Sequence, residues 1–281
     1  MLNLDITVII VSFHSGDKIF NCINSINKEI RVIVIENSND ENLKKKIELK
    51  FKNVECILSK ENLGYGRANN LALSKVKTNY ALIINPDVVL KESAIQNFFI
   101  TVKKIPNFGI IAPIAKTENY QNFNQNENKN LKEVDSVKGF AMFLNMKNLR
   151  EINFFDSNFF LYFEEIDLCK RLRLKNVKIY IDPSIQASHI GGSSHDSKFN
   201  RPMELSRNWH WMWSTFYFNK KYEGYFVAIL KILPKFFTSI FKSIFYLLIF
   251  NKYKSDIYRY RFLGIINSIL LNESSFRPKI F

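Results

Sequence analysis

The chain has 281 residues, 47% hydrophobic and 23% charged, which supplies a full core and excludes a disordered polymer. Seven Pro and nine Gly exclude collagen-like or linker-like sequence, and three widely spaced cysteines, Cys22, Cys56 and Cys169, argue against a disulfide framework or a zinc cluster. The net charge of +14 is uneven: residues 203–281 carry 12 Lys/Arg against 4 Asp/Glu and the remainder 28 against 22, so an anionic partner is implied, whether lipid, nucleic acid or phosphorylated substrate.

The first 115 residues alternate apolar β-branched runs with helical patterns. The runs 6–11, 31–35, 54–58 and 80–84 read as strands, and residues 18–27, 41–51 and 66–76 as helices between them. No basic leader precedes the first run, so no secretory signal is expected. Strand–helix alternation with fully apolar strands predicts a parallel sheet covered on both faces, with ligands at the carboxyl ends of the strands. The residues just after the strands are polar: Ser12 and Phe13, Glu36 and Asn37, Asn62 to Gly64, and Asn85 to Asp87.

Further on, residues 118–132 are Asn/Gln-rich and read as a surface loop. Residues 134–145 read as strand material broken at Gly139, residues 164–174 as a helix, 177–181 as a strand and 187–200 as a Gly/Ser/His loop. From Met203 the pattern turns to basic, aromatic-rich helices, which places a boundary near residue 202 and predicts two parts, 1–202 and 203–281. The longest stretch free of Asp, Glu, Lys and Arg, Pro183–His195, has 13 residues and is polar, so no membrane-spanning helix is expected.

Several residues carry both a chemical and a plain reading. Asp87 after the fourth strand can hold a hard divalent cation against a diphosphate, or simply serve an Asn-Pro-Asp turn. Glu164, Glu165 and Asp167 open a helix, where acidic residues complement the dipole. Phase puts Glu165 on the stripe of Leu168, Cys169 and Leu172, and an inward carboxylate there is costly unless it borders a cleft or is paired. His189 is an exposed loop histidine or, with Asp87, a metal ligand. The run 191–194, Gly-Gly-Ser-Ser, can wrap phosphate with its amides. Lys231, Lys235 and Lys242 fall within about 40° of one another on a helix that is otherwise apolar. That stripe predicts an in-plane membrane helix with snorkelling lysines, the plain alternative being a helix packed on protein. Pro234 should kink or start this helix. Trp209, Trp211 and Trp213 suit a membrane interface, a sugar ring or a core.

Taken together, these segments resemble the inverting glycosyltransferases of family 2, and among them the bacterial rhamnosyltransferases of O-antigen and cell-wall synthesis. The resemblance covers about residues 5–200 and rests on motifs in order: Val-Ile-Ile-Val-Ser-Phe (8–13), Val-Ile-Glu-Asn-Ser (34–38), Glu-Asn-Leu-Gly-Tyr-Gly-Arg-Ala-Asn-Asn (61–70), Asn-Pro-Asp (85–87), Lys-Gly-Phe-Ala-Met (138–142) and Phe-Leu-Tyr-Phe-Glu-Glu-Ile-Asp-Leu-Cys-Lys-Arg-Leu (160–172). It implies a GT-A fold, α/β and Rossmann-like, with a mostly parallel central sheet and helices on both faces, plus the C-terminal helical region. It implies Glu165 as catalytic base and Asp87 with His189 as ligands of Mg²⁺ or Mn²⁺. Ser12, Phe13, Glu36, Asn37, Asn62, Gly64, Asn70, Asn85, Gly139 and Glu164 would bind a dTDP- or UDP-linked sugar. Glu36 and Glu165 stand where the family more often has Asp, and Asn85 replaces the first Asp of the metal motif. The implied acceptor is a glycan or lipid-linked hydroxyl, the implied location the inner face of the cell membrane, and no nucleic-acid partner is expected. The alternatives are a nucleotidyltransferase, disfavoured by the Gly-poor segment after the first strand, and an inactive basic membrane- or nucleic-acid-binding protein, disfavoured by the carboxylates at 87 and 165.

Overall fold

The computed structural model describes residues 5–116, 130–189 and 197–277. Four apolar segments form parallel neighbours in the order β3 (Val54–Leu58), β2 (Arg31–Glu36), β1 (Ile6–Ser12), β4 (Tyr80–Ile84). Their registers align Ser12 with Glu36 and Glu36 with Leu58, so the carboxyl ends of three strands form one rim. The alternation within β1 divides the core. Val8 and Ile10 pack with α1 (Lys18–Asn24), α2 (Glu41–Lys50) and α4 (Ala94–Lys104), whereas Ile9 and Val11 pack with α3 (Tyr65–Leu73), α5 (Met146–Glu151) and α6 (Glu164–Leu174). Helices thus cover both faces, because a strand buried on both sides needs apolar partners on both.

Beyond β4 the sheet continues in mixed pairing. β5 (Val88–Leu90), β6 (Ile110–Lys116), β7 (Lys132–Glu133), β8 (Ala141–Asn145) and β9 (Ile179–His189) complete nine strands among the described residues, with antiparallel β4–β8, β6–β8, β5–β9 and β7–β9 pairs and a parallel β6–β9 pair. Sequence reading ends the last strand at Ile181, yet β9 runs to His189. The Asp182-Pro183 step that follows sits in a bulge, where the pairing jumps from Pro113–Asp182 to Ile114–Gln186. Asp182 anchors that bulge by accepting hydrogen bonds from the Ser184 amide and the Thr101 hydroxyl. The Asn/Gln-rich segment lies outside the described residues as far as residue 129, and so does the 190–196 run.

The chain divides into two compact units, Met1–Asp156 with Glu165–Asp196, and Ser157–Glu164 with Ser197–Phe281. The second unit consists of α7 (Asn200–Glu223), α8 (Tyr225–Leu248) and α9 (Lys252–Ile269), and it also takes the short segment 157–164. Met212, Phe216, Ala228, Ile232 and Ile265 form its core. Trp209 and Trp213 are buried there, and the Trp213 indole donates to the Asn272 carbonyl at 3.0 Å, so two of the three indoles are core residues. Pro234 lies inside α8 rather than at its start. No described helix is long and apolar enough to cross a membrane.

Candidate active site

The rim of strand ends is built from short polar stitches. Ser12 is fully buried, and its hydroxyl lies 2.7 Å from that of Ser15. Glu36, also fully buried, accepts from the Ser38 amide and hydroxyl and from the Asp40 amide at 2.6 Å, so its carboxylate shapes its own turn. The Ser38 hydroxyl in turn accepts from the His14 amide, joining the β1 and β2 ends. Phe13 packs edge-on against His14, whose φ of 49° marks the tight exit from β1. Asn37 reaches to the next loop: its amide donates to Asn62 Oδ1 at 3.0 Å and its oxygen accepts from the Leu63 amide at 2.9 Å. Asn62 Oδ1 also accepts from the Gly64 amide. Gly64 caps α3 with φ 77° and ψ 178°, a conformation essentially reserved for glycine.

Asn70 is held elsewhere. Both ends of its amide bond the backbone of Phe155, at 2.8 and 3.0 Å, so the scaffold accounts for both of its polar groups. Asn85 begins the turn into β5, with the Val88 amide donating to its carbonyl and its own amide donating to Phe140. Asp87 is buried within that turn, and its charge adds to the burial that pushes the Cys22 thiol upward. The first residue of β5, Val88, pairs with His189, so the sheet sets the backbone of His189 one residue from Asp87. Among the described residues no three His, Cys, Asp or Glu side chains gather into a metal site. A carboxylate and a histidine at adjacent backbone positions form a donor set that suits Mg²⁺ or Mn²⁺ only when phosphate oxygens complete the shell.

Three motif segments meet at Gly139. The Tyr65 hydroxyl donates to the Gly139 carbonyl at 2.5 Å. A methyl group built on Gly139 would lie 3.6 Å from the Tyr65 ring and 3.8 Å from Glu165 Cβ. Glu165 is half-buried at the start of α6, and desolvation raises its carboxyl above the ordinary glutamate value of 4.5, only partly offset by amides at the helix start. The helical phase does not turn its neighbours to solvent. Glu164 is buried, and Asp167 is fully buried because Arg171 donates to it at 2.7 Å. Arg171 also donates to the carbonyls of Ile152 and Phe154, clamping Asn153 and Phe154, which both have φ near +55°. Sequence reading missed this clamp, although the i, i+4 Asp–Arg spacing announces it.

In the second unit, Tyr162 and Phe163 also carry positive φ, 68° and 71°. Their rings lie 5.1 and 5.5 Å from that of Trp211, the indole of the three that remains exposed.

Comparison with known proteins gives a consistent picture. The model of "Glycosyl transferase family 2" matches residues 7–168. The chain is 25% identical over 228 residues to the low-salt glycan biosynthesis hexosyltransferase Agl10 of Haloferax volcanii, covering 72% of this chain and 69% of that one. It is 26% identical over 238 residues to the rhamnosyltransferase WbbL of Escherichia coli K12, covering 72% and 88%. Among solved structures, the mannosyltransferase PcManGT of Pyrobaculum calidifontis, in complex with GDP-Man and Mn²⁺, superposes with a TM-score of 0.60 at 9% identity, covering 96% of this chain and 88% of that one. TarS of S. aureus superposes with a TM-score of 0.54 at 16% identity, and this match takes in 72% of the chain but 38% of TarS. These likenesses establish the GT-A fold, with the C-terminal helices lying beyond the family model.

Proposed function

The chain belongs to glycosyl transferase family 2, and from that membership we propose that it moves a sugar from a nucleoside-diphosphate donor to an acceptor hydroxyl with inversion, using Glu165 as general base. The observation that supports the reading is the meeting of Tyr65, Gly139 and Glu165, three motif residues from distant segments brought together at one point. A Glu165 oxygen takes the hydroxyl proton as the acceptor oxygen bonds to the anomeric carbon from the face opposite the diphosphate. The carbon–oxygen bond to the leaving phosphate breaks, and its electron pair departs with the nucleoside diphosphate. Burial strengthens Glu165 as a base and moves its deprotonation to higher pH.

Ser12, Phe13, Glu36, Asn37, Asn62, Gly64 and Asn85 form the nucleotide side, with Glu164 toward the sugar. The side chains of Ser12, Glu36, Asn37 and Asn62 are bonded within the strand-end loops, so they act on the donor by holding the loops that frame it. Asp87 and His189 would hold Mg²⁺ or Mn²⁺, which when bound neutralises charge on the diphosphate. A rhamnosyl donor is supported by the relative named rhamnosyltransferase, and a hexosyl donor by the one named hexosyltransferase. The acceptor class is a glycan or lipid-linked hydroxyl.

The test begins with titration of dTDP, UDP and GDP, with and without EDTA, on wild type and Asp87→Ala. One nucleotide should bind best, and affinity should fall both with EDTA and in the variant. Equal affinity throughout would remove the metal from the donor site. With the donor identified, Glu165→Gln should lower kcat by roughly 10²–10⁴-fold while donor affinity is kept. Wild-type kcat/KM should lose activity toward acid with a midpoint above 4.5, since the base must be deprotonated and its carboxyl is raised. Near-wild-type turnover by the Gln variant would take Glu165 out of the mechanism.

A further inference from the structure

A ridge on α8 carries side chains that nothing among the described residues of the second unit covers. With Phe237 set at 0° and 100° per residue, Phe226, Leu230, Phe241, Ile244 and Leu248 all fall between about −20° and +40°. Their exposures run from 54% at Ile244 to 82% at Phe226, and Phe250, at the turn that follows, is 95% exposed. From Phe226 to Leu248 the ridge is about 33 Å long at 1.5 Å per residue. A soluble surface rarely carries so continuous an apolar strip without a partner.

The lysine stripe does not flank this ridge as the sequence suggests. Lys231, Lys235 and Lys242 lie at about 120–160°, next to the buried Ala228, Ile232 and Ser239. Lys231 pairs with Glu223 at 2.5 Å, and Lys242 lies 5.2 Å over the Tyr258 ring. Burial, with Arg261 nearby, pulls the Lys235 ammonium below the usual lysine range. These lysines therefore border the packed side of α8, Lys231 and Lys235 exposed and Lys242 half-buried, and lie away from the ridge. Other cations flank α8 in the chain: Lys220 and Lys221 before it, and the exposed Lys252 and Lys254 after Phe250, with Lys254 lying 5.2 Å over the Tyr246 ring. No Asp or Glu occurs within α8.

We infer that the α8 ridge docks in the plane of an anionic lipid bilayer, burying Phe226, Leu230, Phe237, Phe241, Ile244 and Leu248 among acyl chains while the terminal lysines meet headgroups. The ridge is the convex side of one helix, which suits a fluid surface. A second copy would meet like charge either way: parallel pairing sets Lys252 and Lys254 against themselves, and antiparallel pairing sets them against Lys220 and Lys221. The helix does not cross, because it is too polar on its other face. The inference stands apart from the transfer chemistry and is read without donor.

The test uses the full chain and vesicles of phosphatidylcholine, with and without phosphatidylglycerol. Wild type should sediment with the anionic vesicles, and less with neutral ones or at high salt. Phe237→Glu with Phe241→Glu should weaken binding by at least about tenfold, since a charge at lipid depth is expelled. Lys252→Glu with Lys254→Glu should weaken binding to anionic vesicles alone. All four side chains are exposed, so circular dichroism and thermal unfolding should match wild type. The native cysteines are free and buried, with Cys56 and Cys169 thiols pushed up to about 12, so a polarity-sensitive dye can be placed selectively at Phe237→Cys or Lys231→Cys. Emission should shift to the blue with vesicles at 237 and stay unchanged at 231. The inference is overturned if wild type ignores anionic vesicles, if the Phe double variant binds like wild type, or if the dye at 237 does not respond. A wild-type dimer that the Phe double variant dissociates, without vesicle binding, would assign the ridge to a second copy instead.

Discussion

The Asp167–Arg171 pair shows how much one ion pair can hold when it is buried. Asp167 is fully buried, and Arg171 spends two further donors on two carbonyls of the strained 152–154 segment. Removing one partner leaves a charge in a medium that cannot solvate it, which costs about 3–5 kcal/mol. Asp167→Ala should therefore lose that much in urea unfolding, and Asp167→Ala with Arg171→Met should recover a large part of it. A loss under about 1 kcal/mol in the single variant would mean that water already reaches the pair. The polar residues of the strand ends divide in the same way. Sequence shows that Ser12, Glu36, Asn37 and Asn70 follow or face the strands, but hydrogen-bond direction is a tertiary property. Glu36 and Asn37 turn into their own loops, and Asn70 turns to Phe155.

Among the elements, α7 and α9 come into backbone contact at Gly264. A methyl group there would lie 2.3 Å from the Trp209 carbonyl oxygen, a backbone atom that cannot rotate aside. Gly264→Ala should cost about 1–3 kcal/mol by overpacking, despite the better helix propensity of alanine. Unchanged or increased stability in denaturant melts would show that the helices slide apart freely. The other elements divide by the range of their causes. β3, β4 and α6 have the ends that periodicity predicts, because burial on a covered sheet is written in local apolar runs. β9 is longer than predicted, since a bulge needs a partner strand that no local pattern reveals. Pro234 sits within α8 because neighbouring helices, not propensity, support its length.

At the scale of the molecule, a single histidine ties Ser274 and Phe276 to α7. His210 is fully buried, with Nε2 donating to the Phe276 carbonyl and Nδ1 accepting from the Ser274 hydroxyl, both at 2.9 Å. Desolvation, aided by the charge of Arg277, lowers it to about 3. The unfolded chain titrates near 6.5, so below that value it takes up a proton that the folded chain refuses. Stability from this residue is complete above about pH 6.5 and drains away down to about pH 3, by roughly 5 kcal/mol in all. The urea midpoint of wild type should fall across that window more steeply than that of His210→Gln. Identical slopes would show that His210 is protonated in the fold.

Local composition and period determined the strand–helix alternation, the order of the family motifs, the basic C-terminal region and the carboxylates at 87 and 165. Each depends on chemistry within a few residues, which a one-dimensional pattern preserves. Tertiary structure alone decided what faces what. It turned two of the three tryptophans into core, set the lysine stripe at the border of the packed side of α8, and left that helix's apolar ridge in water. It also set His189 beside Asp87 by strand register, and Gly139 between Tyr65 and Glu165. Such facts require two distant segments to be in place at once, and the free energy that selects them is shared between the segments and belongs to neither sequence alone.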